Sequence, residues 1–219
     1  MSERSSRRAV VLLSGGLDSG VAAASFVARG GSLALCLFAD YGQRAAVPEH
    51  AAASSLARRF GAVLERVPLP WLGMLAQRTG ARLMPGTGEL PRGSEAVPGD
   101  AESAARVWIP ARNALLLAVA AAHAETLAAD CVVAGFNREE AQTFPDNSAE
   151  FLAAATAMLA FGTRNRVTVE SPTLEWDKPR IVAEALRLGF APNDFWSCYG
   201  AGPDRCGVCE SCLRSRWRR

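Results

Sequence analysis

Lysine is almost absent from this sequence: the 219 residues contain one, Lys178. Arginine supplies the rest of the 24 basic residues, which face 22 acidic ones for a formal net charge of +2. Near-balance of this kind advertises no overall basic field, and so no nucleic-acid surface. Long hydrophobic runs are missing as well. The longest, Ala114 to Ala122, falls well short of the ~20 residues that cross a bilayer and reads as a buried helix. The apolar stretch opening at Ala9 stops at Leu13, too soon for the hydrophobic region of a secretory signal. Both absences predict a cytoplasmic protein without membrane contact. Histidine occurs twice, as His50 and His123, each inside a helical run where a surface or packed position is expected rather than acid–base work. The basic ending Arg214, Arg216, Arg218 and Arg219 reads as a solvated tail.

What is present is enough apolar material for one main domain, at 49% hydrophobic content. Short apolar runs alternate with longer helical patterns. Strands are expected at 8–14, 32–38, 62–69, 131–136 and 166–172, with helices at 18–29, 46–60, 111–128, 148–161 and 177–189. Strands apolar on both faces and separated by helices call for a parallel sheet covered on both sides, so the fold class is α/β, doubly wound. This pattern occupies residues 1–190. Residues 70–107 break it with Pro70, Pro85, Pro91 and Pro98 among six glycines, a segment too long and punctuated for a plain connection. It reads either as a lid over a substrate or as a disordered insert. Residues 191–219 carry the cysteine cluster.

The string SGGLDS at 14–19 lies between the first strand and the first helix, at the carboxyl edge where open parallel sheets bind ligands. Free N–H groups and the helix dipole favour an anion there, and glycine lets its oxygens approach the main chain. Ser14 and Ser19 add hydroxyls. Asp18 can hold a magnesium ion against phosphates or cap the helix. The loop lacks the lysine of G-x-x-x-x-G-K-[ST] and the spacing of G-x-G-x-x-G, so it is neither of the commoner phosphate binders.

Six cysteines are present. Cys36 and Cys131 sit singly in strand-like runs, as small buried hydrophobes. Cys198, Cys206, Cys209 and Cys212 have a spacing that can wrap a tetrahedral ion, with zinc the best fit and a structural role expected, since four thiolates leave no open position. An iron–sulfur cluster is also compatible with this spacing. Disulfides are disfavoured in a cytosolic chain.

SGGLDS resembles the pyrophosphate loop of the PP-loop ATP pyrophosphatases, which share a Rossmann-like, adenine-nucleotide-binding fold. Five further strings narrow the resemblance to the 7-cyano-7-deazaguanine synthase (QueC) family over nearly the whole chain. ADYGQR at 39–44 resembles that family's FDYGQR, and VWIPARNALLL at 107–117 its FVPGRN stretch, with Ala111 in place of glycine. FPDN at 144–147 resembles YPD followed by cysteine; ESPTLEWDKPRIV at 170–182 and SCYGAGPDRCGVCESC at 197–212 resemble its TPL-x-W-x-DK element and zinc segment.

The resemblance implies an ATP-dependent ligase of queuosine biosynthesis that uses Mg2+ and Zn2+ and forms a homodimer. 7-Carboxy-7-deazaguanine would take AMP from ATP, ammonia would displace AMP to give an amide, and a second adenylation with loss of AMP would leave the nitrile. On this resemblance Leu13, Ser14, Gly15, Gly16, Leu17, Asp18, Ser19 and Gly20, with Asp40 and Gln43, hold the nucleotide. Asp18, Arg112 and Lys178 are the catalytic candidates; Lys178 reads equally as a surface lysine at a helix start. Tyr41, Arg44, Asn113, Thr143, Phe144 and Asp146 are the substrate candidates. Asp40 could instead be a turn residue and Asp146 a helix cap. Alternatives are a relative that stops at the amide or passes the acyl group to a protein, a tRNA-modifying thiolase needing a reactive Cys36, and a non-catalytic nucleotide sensor.

Overall fold

The computed structural model describes residues 6–215. Five strands, β1 (Arg8–Leu12), β2 (Ser32–Asp40), β3 (Leu64–Pro68), β4 (Cys131–Val133) and β5 (Thr168–Glu170), form one sheet in the order β3-β2-β1-β4-β5. Every pairing is parallel. The chain builds outward from β1 through β2 to β3, then returns to the other side for β4 and β5. The order therefore reverses between β1 and β4, which opens a crevice at their carboxyl ends.

Period-two alternation with apolar residues in both phases explains why β1 lies at the centre. Ala9 and Val11 face a core shared with α1 (Leu17–Ala28), α2 (Ala46–Arg59) and, farther along the chain, α8 (Lys178–Arg187). Val10 points the other way, into a core with α5 (Arg112–Thr126) and α7 (Ala149–Gly162). α5 lays Leu117, Ala120, Ala121 and Ala124 on the sheet, small residues that let the helix approach closely. Among the described residues no single helix is long and apolar enough to cross a membrane.

The excursion at 70–107 is structured. Pro70 occupies the first turn of α3 (Pro70–Arg78), where its missing N–H costs nothing, and Asp100 caps α4 (Ala101–Val107) by accepting the Ser103 N–H at 2.7 Å. Leu72, Ala76, Met84, Val107 and Ile109 close a third core around Tyr41. The prolines and most of the glycines that obscured these helices in the sequence stand at their starts and in the turns between them, while Gly73 lies inside α3 against the Tyr41 backbone. The reading of a disordered insert therefore gives way to a packed one.

After α8, Gly189 turns the chain at φ +76 and Phe190 and Phe195 pack back over α1 and α2, with ring centroids 5.4 Å apart. The final helix, α9 (Glu210–Arg214), follows the cysteines. Arg214 is not in a solvated tail: its side chain is 6% exposed, and its Nε donates to Glu210 at 2.6 Å. Arg216, Arg218 and Arg219 lie outside the described residues.

α5 begins from Ala111, held at φ +53 in the left-handed region. An L side chain pays about 1–2 kcal/mol there and glycine none, which accounts physically for glycine in the family's version of this string. Ala111→Gly is accordingly expected to raise unfolding stability by about 0.5–1 kcal/mol in urea titrations, the relief of strain exceeding the added freedom of the unfolded chain. A lowered midpoint would contradict the strain.

Candidate active site

A cavity of ≈ 270 Å³ opens at the β1/β4 crevice. One side is the loop of residues 13–20, of which Leu13, Ser14, Gly16, Asp18 and Ser19 line it. The loop is pre-shaped by its own hydroxyls. Ser14 and Ser19 Oγ lie 3.0 Å apart, the Ser14 N–H donates to Ser19 Oγ at 3.3 Å, and the Gly16 N–H donates to Ser14 Oγ at 3.3 Å.

Gly15, Leu17 and Gly20 do not line the cavity, and the two glycines have other reasons to be there. Gly15 sits at φ +82, and a Cβ on it would lie 2.3 Å from the Glu49 carbonyl oxygen in α2. Helix packing therefore removes its side chain. A Cβ on Gly20 would meet the Phe195 ring at 2.6 Å. Behind the loop, a Cβ on Gly135 would come within 2.5 Å of the Ser19 nitrogen, so the segment after β4 presses on the start of α1. From the C-terminal side the Trp196 N–H donates to the Gly15 carbonyl at 2.8 Å, and the Leu17 N–H donates to Ser197 Oγ at 3.2 Å.

Asp18 does not cap α1, whose cap position is Gly16 with no side-chain bond. Its Oδ2 receives the Lys178 ammonium at 2.6 Å, and the same ammonium reaches Glu140 Oε1 at 2.9 Å. Lys178 is 5% exposed and starts α8, capped by Asp177. It is thus no surface lysine, yet it stands behind the cavity wall that Asp18 and Glu140 form. Burial alone would lower its pKa, but the two carboxylates outweigh burial and hold it above the usual range. Burial raises Asp18; for Glu140 the ammonium outweighs burial and holds the carboxyl low. Asp18 Oδ1 is buried without a hydrogen-bond partner. An unpaired carboxylate oxygen beside a second carboxylate is a donor set that fits a hard divalent cation.

Opposite the loop, Arg112, Asn113, Phe144, Asn147, Tyr199, Glu210 and Ser211 line the cavity. Phe144 stacks on Trp108, with centroids 6.3 Å apart and planes 7° from parallel. Arg112 lies beside Tyr41, Asp146 and Tyr199, whose combined attraction outweighs burial and keeps the guanidinium charged. Asn113 Nδ2 donates to the Asp146 carbonyl at 3.1 Å. Thr143 and Asp146 stand behind this wall rather than in it. Ser148, not Asp146, caps α7 by accepting the Phe151 N–H.

The DYGQR string divides. Tyr41 and Gln43 line the cavity, whereas Asp40 and Arg44 do not. Burial would raise Asp40, but the Gly42 N–H at 2.9 Å and the Arg66 guanidinium outweigh it and hold the carboxyl low, fixing the turn after β2. Arg44 donates to the carbonyls of Arg82 and Gly88 and so braces the 70–107 excursion. Gln43 Nε2 donates to Glu49 Oε2 at 2.9 Å. Glu49 also lines the cavity, and burial pushes it up to about 7 against the opposing Gln43 amide and Arg112 charge. Reading the sequence did not find Glu49, Trp108 or Glu210. Glu210 was hidden between Cys209 and Cys212, where the thiols explained the string without it.

The four thiols of Cys198, Cys206, Cys209 and Cys212 lie within 4.8 Å of one another. Thiolates on one tetrahedral ion with bonds near 2.3 Å would sit roughly 3.8 Å apart, so the cluster is close to metal-ready. Backbone N–H groups of Gly200 and Cys206 donate to Cys198 Sγ at 3.3 Å each. Cys36 is buried in β2 and burial pushes its thiol up to about 12, which argues against a reactive persulfide there.

A parallel sheet whose first β–α loop lines a cavity at the point where strand order reverses defines a doubly wound α/β protein with a ligand crevice at the carboxyl edge of its sheet. The chain belongs to the QueC family: the model described as "Queuosine biosynthesis protein QueC" matches residues 8–217. Three relatives are each named 7-cyano-7-deazaguanine synthase. One from Desulforudis audaxviator is 47% identical, covering 94% of both chains, and one from Pelotomaculum thermopropionicum is 45% identical at the same coverage. One from Bdellovibrio bacteriovorus is 43% identical, covering 97% of this chain and 93% of its own. The solved NMN synthetase of Francisella tularensis covers 92% of this chain and 70% of its own, at 14% identity and a TM-score of 0.49, a likeness too slight to bear on function.

Removing the buried ammonium from between Asp18 and Glu140 strands two half-buried carboxylates, 21% and 26% exposed. Lys178→Met is expected to lose about 3–5 kcal/mol of stability at pH 8. In this variant both carboxyl pKa values rise above their unfolded values. The loss should therefore shrink as pH falls toward 5 and protonation removes the stranded charge. Chemical denaturation at the two pH values checks it, and an equal loss at both would contradict the pairing.

Proposed function

We propose that this chain converts 7-carboxy-7-deazaguanine and ammonia into 7-cyano-7-deazaguanine at the cost of two ATP, within queuosine biosynthesis. The observation that carries the reading is near-full-length similarity to synthases of that name at 43–47% identity. The cavity supplies chemistry that suits it. A carboxylate is a poor acyl donor, and loading its oxygen with AMP turns that oxygen into part of a good leaving group. Positioning and charge neutralisation then carry most of the catalysis.

The loop amides, with the Ser14 and Ser19 hydroxyls, hold the departing pyrophosphate. Asp18 and Glu140 are the residues that would hold a magnesium ion, whose charge would offset that of the phosphates. Lys178 keeps those two carboxylates in place. Arg112, the charged guanidinium in the opposite wall, receives the substrate carboxylate and orients it toward the α-phosphate. Ammonium must shed a proton before it attacks the acyl-adenylate. Glu49, poised near neutrality and open to the cavity, is suited to accept it. The amide oxygen then takes a second AMP, and loss of AMP with the remaining N–H protons leaves the nitrile.

Cys198, Cys206, Cys209 and Cys212 would hold a zinc ion, which would fasten the segment that supplies Ser197, Tyr199 and Glu210 to the cavity wall. A four-thiol site able to hold a metal suits a reducing, cytoplasmic setting. Met158 and the 94% exposed Phe161 on α7 support an interface with a second copy of the chain, the homodimer that the resemblance implies.

Pyrophosphate release with Mg2+ and ATP is expected only when 7-carboxy-7-deazaguanine is present, with two pyrophosphates released per nitrile found by mass spectrometry. Release that ignores the acid would overturn the reading, and an amide or protein adduct as the end product would favour the QueC-like alternatives. Metal analysis is expected to find one zinc per chain, lost with the folded C-terminal segment in Cys209→Ser.

A further inference from the structure

Four carboxylates line the cavity: Asp18, Glu49, Glu140 and Glu210. Asp18 and Glu140 are tied to Lys178 at the phosphate end, and Glu49 is held by Gln43 behind the loop. Glu210 differs in place and in partners. It is the first residue of α9, its side chain is 7% exposed, and it accepts one protein hydrogen bond on each oxygen. Tyr199 Oη donates to Oε2 at 2.8 Å and Arg214 Nε to Oε1 at 2.6 Å. The two donors, one on each oxygen, lock the carboxylate's orientation. An ionised carboxylate offers about four lone-pair sites, so each oxygen retains one for a ligand.

The surroundings are those of a flat, polar-edged ring. Tyr199 packs against the same core as Phe144, whose ring is backed by Trp108, and Arg112 lies beside Tyr199. Building on the proposed reaction, we infer that Glu210 reads the pyrimidine edge of the deazaguanine, accepting its N1–H and 2-amino N–H as an adjacent pair. That edge presents two donors side by side, and a carboxylate with one open site on each oxygen is its complement. An amide side chain, donor on one atom and acceptor on the other, is not. Specificity for the base then comes from the metal-binding segment, while the sheet and loop handle the nucleotide.

The test pairs the residue with the group it reads. Wild type and Glu210→Gln are assayed for pyrophosphate release with 7-carboxy-7-deazaguanine and with the same acid lacking its 2-amino group. Deleting the amino group should cost wild type about 10- to 100-fold in kcat/KM, the range for one hydrogen bond to a charged acceptor. In Glu210→Gln the two acids should differ by less than about threefold, with KM for ATP within about twofold of wild type, whereas damage that is only structural would lower both acids and ATP together. Equal discrimination by the two proteins would overturn the inference. Wild type that ignores the acid altogether would instead remove the reaction on which it rests. Should the variant fail to fold, a structure of wild type with the acid bound decides: the 2-amino nitrogen within about 3.2 Å of a Glu210 oxygen supports the assignment, and a base edge turned away from Glu210 overturns it.

Discussion

One buried ammonium organises the functional end of this molecule. Lys178 joins α8 to Asp18 in α1 and to Glu140 in the short helix α6 (Arg138–Ala141), bringing together residues as far as 160 apart in the chain. In a poorly solvating interior such a group is stable only with its partners, and its partners only with it. The arrangement therefore sets the positions of two carboxylates in the cavity wall to within a hydrogen bond's tolerance. A second guanidinium, Arg214, lies 4.0 Å from Glu139 and bonds to Glu210, so the charge pattern continues from the sheet into the C-terminal segment.

The fold was legible because its signals are local. Ala9 and Val11 on one side of Val10 announce a strand buried on both faces, and the five expected strands all appear, most of them shorter than expected at one or both ends. The exception was the 70–107 segment. There the hydrophobic pattern of Leu72, Ala76 and Met84 makes sense only against Tyr41, which belongs to another part of the chain.

The site was legible where a contiguous string does the work and illegible where side chains meet across the fold. SGGLDS and the cysteine spacing could be read directly. Gly15 shows the limit of that reading: its missing side chain suggested a ligand's approach, but the obstacle is the backbone of α2. Arg44 and Asp40, attractive as binding residues beside Tyr41, are taken up by Gly88 and Arg66 instead. Glu49 and Glu210 carry no local mark, since their meaning comes from the cavity they face and from the partners Gln43, Tyr199 and Arg214.

The hydrogen bonds from Trp196 to Gly15 and from Leu17 to Ser197 tie the oldest part of the chain to nearly its youngest. A polypeptide cut short before residue 196 would present the turn without those supports and without the Tyr199–Glu210 wall. The turn and the wall opposite it thus share supports from residues 180 apart in the chain.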